Sequence, residues 1–124
     1  MDRNSHAVRA DTPILEAISV LIDQGLTGVP VVDADGRSLG VLSEEHCLKL
    51  MALGDARFEA PTGTVAQYFD AAVPTVSPDM DVFYVAGMFL RDPRHRRFPV
   101  VADGKLMGVV TRKDILKTLR TILA

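Results

Sequence analysis

The chain has 124 residues, 48% of them hydrophobic, the usual size of one compact domain with enough apolar content for a real core. Its 14 Lys and Arg against 16 Asp and Glu give a formal net charge of -2, so nothing global suggests the strongly basic surface of a general nucleic-acid binder. A single cysteine, Cys47, excludes an internal disulfide framework and suits a reducing, cytoplasmic compartment. No apolar run approaches the roughly 18 to 20 residues that span a bilayer, and the start Met1-Asp2-Arg3-Asn4-Ser5-His6 lacks a signal-peptide core.

A first strand is expected over Ala7 to Ala10. Ile14, Ala17, Ile18, Leu21 and Ile22 then recur at i, i+3, i+4, i+7 and i+8, the spacing of a one-faced helix. A short apolar strand, Val29 to Val32, leads through Asp35-Gly36 into a second, Leu39 to Leu42; Asp-Gly is a hairpin signal because glycine tolerates the positive φ such turns need. A helix over Glu44 to Leu53 closes the unit. Gly54 to Thr64, with its Gly, Pro and Thr, reads as a connector, and Val65-Ala66-Gln67-Tyr68-Phe69 as a short helix leading onward.

The same order then returns. Thr75 to Ser77 leads in, and Val82, Val85, Ala86, Phe89 and Leu90 occupy the helix register. Phe98 to Val101 and Met107 to Val110 flank Asp103-Gly104, and Arg112 to Leu123 closes with Ile115, Leu116, Leu119, Ile122 and Leu123 as an expected buried stripe. Placing Val8 on Val76 brings Asp11 onto Asp79, Gly36 onto Gly104, Gly40 onto Gly108, Leu48 onto Leu116 and Lys49 onto Lys117. One residue of slip puts Pro30-Val31-Val32 on Pro99-Val100-Val101. The chain is thus a repeat at 1–53, a connector at 54–64 and a repeat at 65–124, an α+β arrangement of two β-α-β-β-α units. A half of this size buries too little surface to be comfortable alone, so the two are expected to pack together through their sheets about a pseudo-twofold axis. Met1 aligns with Phe69, so repeat one lacks a counterpart of the lead-in helix, which suits a fragment of a longer chain.

Two ordered sets carry a family resemblance: Val29-Pro30-Val31-Val32-Asp33 to Gly40-Val41-Leu42-Ser43, and Phe98-Pro99-Val100-Val101 to Gly108-Val109-Val110-Thr111-Arg112-Lys113-Asp114. Occurring twice in order, they resemble the tandem CBS domain pair, or Bateman module, across essentially the whole chain. The resemblance implies two interlocked repeats that commonly form flat homodimers. It also implies clefts between the repeats for adenosine-containing molecules such as AMP, ADP, ATP or S-adenosylmethionine, a regulatory rather than catalytic role, and an attached or separate effector domain.

The resemblance assigns ribose binding to Thr111 and Asp114, and the chemistry is sensible because a carboxylate accepts from both vicinal hydroxyls. Phosphates nearby would gain from the N–H groups of the helix start. Thr111-x-x-Asp114 is equally a capping box, in which Thr caps the helix and Asp reaches back to its amide. The repeat context favours the ligand reading for Asp114.

Family geometry then brings the base near Ser5, His6, Thr27, Gly28 and Val29, where backbone groups could read an adenine edge; for Gly28 a plain turn is as good a reading. Repeat one carries Ser43-Glu44-Glu45-His46 at the equivalent place, so His46 stands where the carboxylate is expected. This second cleft, with Ser43, His46, Val73, Pro74, Arg96, Arg97 and Phe98, is expected to be degenerate. Arg91 to Arg97 is the most basic stretch; for Arg91 and Arg94 a solvated connector is the favoured reading.

Cys47 aligns with Ile115 and reads as a small core residue, not a nucleophile. His6, His46 and His95 show no zinc-ligand spacing, and Tyr68, Phe69, Phe83, Tyr84 and Phe89 are expected in the core or a dimer contact. No catalytic constellation can be assembled. The leading expectation is an adenosine-sensing homodimeric module needing no cofactor, metal, nucleic acid or membrane insertion. A dimerising scaffold with empty clefts, possibly excised from a transporter or enzyme, is the alternative.

Overall fold

The computed structural model describes residues 6–52 and 63–124, which fall into two compact units, His6–Ala72 and Val73–Ala124. Ser5 lies outside the described residues. The secondary structure is mixed α and β, with one small sheet in each unit.

In the first unit β1 (Val8–Arg9) pairs in parallel with β2 (Gly28–Val32), which pairs antiparallel with β3 (Ser38–Ser43). A parallel pair needs a crossover, and α1 (Ile14–Gln24) supplies it. Gly25 stops α1 at φ 63° and ψ 38°, with its N–H donating to Ile22 O and the Leu26 N–H to Leu21 O, the paired bonds of a glycine-ended helix. Ile14, Ala17 and Leu21 bury against Val8, Val29, Val31 and Leu42, joining the 3.6-residue period of α1 to the sheet face. α2 (Glu44–Ala52) follows β3 directly.

The segment read as leading into the second repeat packs on the first. It is a single 3-10 turn at Val65–Gln67; Val65 is fully buried in the first core and its N–H donates to Thr12 O at 2.9 Å. Val41 and Asp70 exchange both backbone bonds at 3.0 and 2.9 Å. That approach explains Gly40, where an added Cβ would overlap the Asp70 carbonyl.

The second unit has β4 (Arg97–Ala102) antiparallel to β5 (Lys105–Thr111), covered by α3 (Val82–Arg91), with α4 (Arg112–Leu123) after β5. Asp81 caps α3 by accepting from the Phe83 N–H at 2.7 Å. Phe98 is fully buried against Phe89 with ring centroids 4.5 Å apart, amid Val76, Val85, Val100 and Val110. Asp103 and Gly104 form a two-residue loop with φ of 53° and 78°, the conformation that lets a hairpin keep its twist. The corresponding loop of the first unit is longer. There the Asp33 carboxylate accepts from the Asp35 and Arg37 N–H groups, both at 2.9 Å, which accounts for the one-residue slip between the repeats.

Three expectations are corrected. Thr75 to Ser77 is not a strand but one bridge, Val76 to Val100, because Pro74 and Pro78 beside it cannot donate. The α4 stripe is not buried: Ile115 alone packs on the core, while Leu116, Leu119, Ile122 and Leu123 are exposed. Val85 and Phe89 of α3 already cover the two-stranded sheet, so α4 reaches it only through its first turn. Ile22 and Leu90, at the i+8 positions, are likewise exposed, since each sits in the last turn of its helix.

Candidate functional site

Thr111 ends β5 and is the N-cap of α4, so its extended backbone turns the chain from sheet to helix at one residue. The capping box of the sequence is formed: the Thr111 N–H and hydroxyl donate to Asp114 Oδ2 at 2.8 and 3.1 Å, and the Asp114 N–H donates to Thr111 Oγ1 at 3.3 Å. Both side chains are half-buried. The two donors of Thr111 converge on a single carboxylate oxygen, Oδ2 of Asp114.

Repeat one builds the same cap with an imidazole. Ser43 Oγ lies 2.7 Å from His46 Nδ1, the Ser43 N–H points to the same nitrogen at 3.3 Å, and the His46 N–H donates to Ser43 Oγ at 3.3 Å. An amide can only donate, so Nδ1 is the acceptor and the ring proton sits on Nε2. His46 therefore does the local work of Asp114 with a neutral acceptor.

Strand register decides which residues accompany each cap. In the first unit Gly28 lies opposite Ser43 and Val29 opposite Leu42, and the Thr27 carbonyl accepts from the Glu44 N–H at 2.9 Å. Thr27 and Gly28 thus stand beside Ser43 and His46. Gly28 lies in β2 and not in a turn, and a Cβ added there would meet Leu42 O at an ordinary contact distance of 3.4 Å. Val29 is buried in the core and His6 is exposed. In the second unit Arg97 lies opposite Thr111 and Phe98 opposite Val110. Phe98 is a core side chain, Arg96 is exposed, Val73 is buried and Pro74 exposed. Burial pushes the half-buried Arg97 guanidinium below its usual pKa. The proximity of strand start to helix start within a repeat was not drawn from the sequence; the short Asp-Gly loops were the signal that could have given it.

The basic stretch resolves into separate roles. Arg91 sits 5.3 Å from the Tyr84 ring centre, Arg94 Nε lies 3.4 Å from Asp92 Oδ1, and Arg112 donates to Pro93 O at 3.2 Å. His95 Nδ1 is 2.7 Å from Asp92 Oδ2. Desolvation pushes the Asp92 carboxyl up, but the hydrogen bonds and charges of His95 and Arg94 outweigh it and hold the carboxyl below its usual pKa. Cys47 packs half-buried on the first core, and burial raises its thiol pKa. Among the described residues no group of His, Cys, Asp and Glu is arranged to hold a metal, and no helix is long and apolar enough to cross a membrane.

A chain segment of 107 residues is 31% identical to the A-adding tRNA nucleotidyltransferase of Aquifex aeolicus, covering 86% of this chain and 12% of that protein. The CBS domain-containing protein CBSX1 of Arabidopsis thaliana is 26% identical over 136 residues, covering 90% of this chain and 58% of that one. The chain therefore spans only part of these curated relatives. Among solved structures, CBSX2 in complex with AMP matches with a TM-score of 0.81 at 28% identity, covering 98% of this chain and 91% of that chain. The CBS domain pair of protein MJ0100, in complex with 5-methylthioadenosine and S-adenosyl-L-methionine, shares the fold with a TM-score of 0.79 at 23% identity, over 98% and 93% of the two chains. The CBS domain model matches residues 1–53 and 65–121, both repeats in order, and the chain belongs to the CBS domain family.

Proposed function

We propose that this chain is a regulatory module that binds an adenosine-containing molecule, AMP, ADP, ATP or S-adenosylmethionine, without catalysing a reaction, and that it acts as a homodimer. The observation that carries the reading is the Thr111 and Asp114 pair, set at the strand-to-helix junction of a chain that matches an AMP complex over nearly its whole length. Vicinal ribose hydroxyls would donate to the Asp114 carboxylate, a charge-assisted interaction stronger than a neutral one. The Ser43 and His46 cap offers one neutral acceptor instead, so the first repeat is the weaker partner for ribose. The limited share of the relatives that the chain covers supports a module whose output lies in another domain or protein.

Thermal denaturation with AMP, ADP, ATP, S-adenosylmethionine, NAD and GTP tests this. A ligand specific for the native state, at about 100 times its Kd, should stabilise by about 2.7 kcal/mol. Asp114→Ala should abolish that shift. A variant that loses apo stability yet keeps full affinity would leave Asp114 a cap only. The second reading, a dimerising scaffold with empty clefts, is favoured by the exposed apolar helix faces and would be supported if no compound shifts the wild-type transition.

A further inference from the structure

The Ser43 and His46 cap differs from its counterpart in what a proton does to it. The Ser43 N–H is directed at His46 Nδ1 at 3.3 Å, and Ser43 Oγ lies 2.7 Å from the same nitrogen, so one lone pair meets two donors. Strand register explains the first of them. Bonded and non-bonded residue pairs alternate along an antiparallel ladder, and the Glu44 N–H takes the bond to Thr27 O at 2.9 Å, so Ser43, opposite Gly28, turns its N–H away from β2 and toward the cap. Protonation of Nδ1 removes the lone pair. A ring N–H then faces the Ser43 N–H, and the Ser43 hydroxyl, which accepts from the His46 N–H at 3.3 Å, can no longer donate to the ring.

The surroundings leave His46 as the group that responds. Histidine is the side chain whose charge ordinarily changes between about pH 5 and 8. Of the elements packed on α2, β3 carries no titratable side chain and α1 carries Glu16 and Asp23. α2 itself carries Glu44, Glu45, Cys47 and Lys49, with Lys49 Nζ 3.8 Å from Glu45 Oε1. Burial raises the Cys47 thiol, which keeps it protonated through that range. The second unit behaves in the opposite sense: His95 Nδ1 lies 2.7 Å from Asp92 Oδ2, a contact that a proton on the ring strengthens. Its cap offers the Thr111 N–H a carboxylate oxygen, which no imidazole proton can remove.

We propose that His46 is a proton-operated latch on the start of α2: neutral, it holds the Ser43 amide and closes the cap; protonated, it lets go and leaves the ring free as a cationic donor. The proton comes from solvent and adds to Nδ1 while the ring keeps its Nε2 proton. The latch itself rests on the hydrogen bonds of the cap. Its bearing on ligand binding rests on the adenosine-binding reading above, where it regulates the first-repeat site. With the ring neutral, its acceptor is taken by Ser43, and Glu44 and Glu45 flank it with acidic side chains. In mild acid the freed imidazolium can donate to the phosphate of a nucleotide.

Amide hydrogen exchange on the whole chain, with rates corrected for their intrinsic pH dependence, tests it. Protection of the Ser43 amide should fall about fivefold between about pH 8 and pH 5, as for the loss of a helix cap, while the Thr111 amide keeps its protection. In NMR titration the Ser43 amide shift and the His46 ring should share one midpoint. His46→Asp installs the carboxylate of the other repeat, and His46→Gln supplies an acceptor that does not titrate. Each should abolish the fall, with circular dichroism confirming that both variants are folded. Ser43 protection that holds to the acid end in the wild type, or falls equally in His46→Gln, overturns the latch and leaves the adenosine-binding reading standing. A fall confined to the wild type establishes the latch. If calorimetry with AMP, ATP and S-adenosylmethionine then shows no binding at either pH, the adenosine-binding reading is what fails.

Discussion

The two repeats solve one folding problem with different chemistry. Both turn from strand to helix through a hydroxyl cap and a side chain three residues on, but repeat two uses the Asp114 carboxylate and repeat one the His46 imidazole. Both place a helix on a small sheet, but the first core is aliphatic, built on Ile14, Val29, Val31 and Leu42, whereas the second centres on Phe89 against Phe98. Packing and capping tolerate such exchanges because they ask only for volume and an acceptor. On the proposed reading a ribose site asks for two hydroxyls to be met at once, and there the exchange of carboxylate for imidazole would weaken the first repeat's hold on a ribose.

The largest effect that separates the repeats should come from the cores. Phe98→Ala removes a fully buried ring that nothing nearby can replace, and it should cost about 3–5 kcal/mol in urea denaturation. A loss under about 1 kcal/mol, the size of a single buried methyl-group change, would show that the second core does not depend on the aromatic pair.

The caps should differ by less. Asp114→Ala should lower apo stability by about 1 kcal/mol, and His46→Ala by less, because hydrogen bonds to a charged acceptor are roughly twice as strong as neutral ones. Equal losses would remove the distinction between the caps.

The smallest effect is in acid. Asp92 is held below its usual carboxyl pKa in the folded chain, so it adds stability that is present above the unfolded carboxyl pKa and lost as pH falls through the folded one. Asp92→Asn should therefore be less stable than wild type near neutrality, with the difference disappearing in strong acid. Among the described residues Asp23 of the first unit forms no ion pair, and Asp23→Asn is the control. A gap between Asp92→Asn and wild type that does not vary with pH would overturn the assignment.

Much of this was legible in the residues. The paired hydrophobic periods, the Asp-Gly turns and the Thr111-x-x-Asp114 cap all appear where the sequence puts them, because each depends on contacts within a few residues. Position along the chain assigns the Val65–Gln67 turn to the second repeat, yet its backbone bonds go to Thr12 and Ala10. The α4 stripe reads as buried but is exposed, because periodicity reports that a face is apolar, not that another element reaches it.

By itself the sequence determined the repeat, the family and the residue types at the two caps, since local hydrogen bonding and side-chain period are written in neighbouring positions. Only the tertiary structure decided that Gly40 makes room for the Asp70 carbonyl, that Thr27 and Gly28 stand beside Ser43, and that Leu116, Leu119 and Ile122 of α4 stay exposed. Those outcomes turn on which distant segments meet, and a pattern along one chain does not contain that distance.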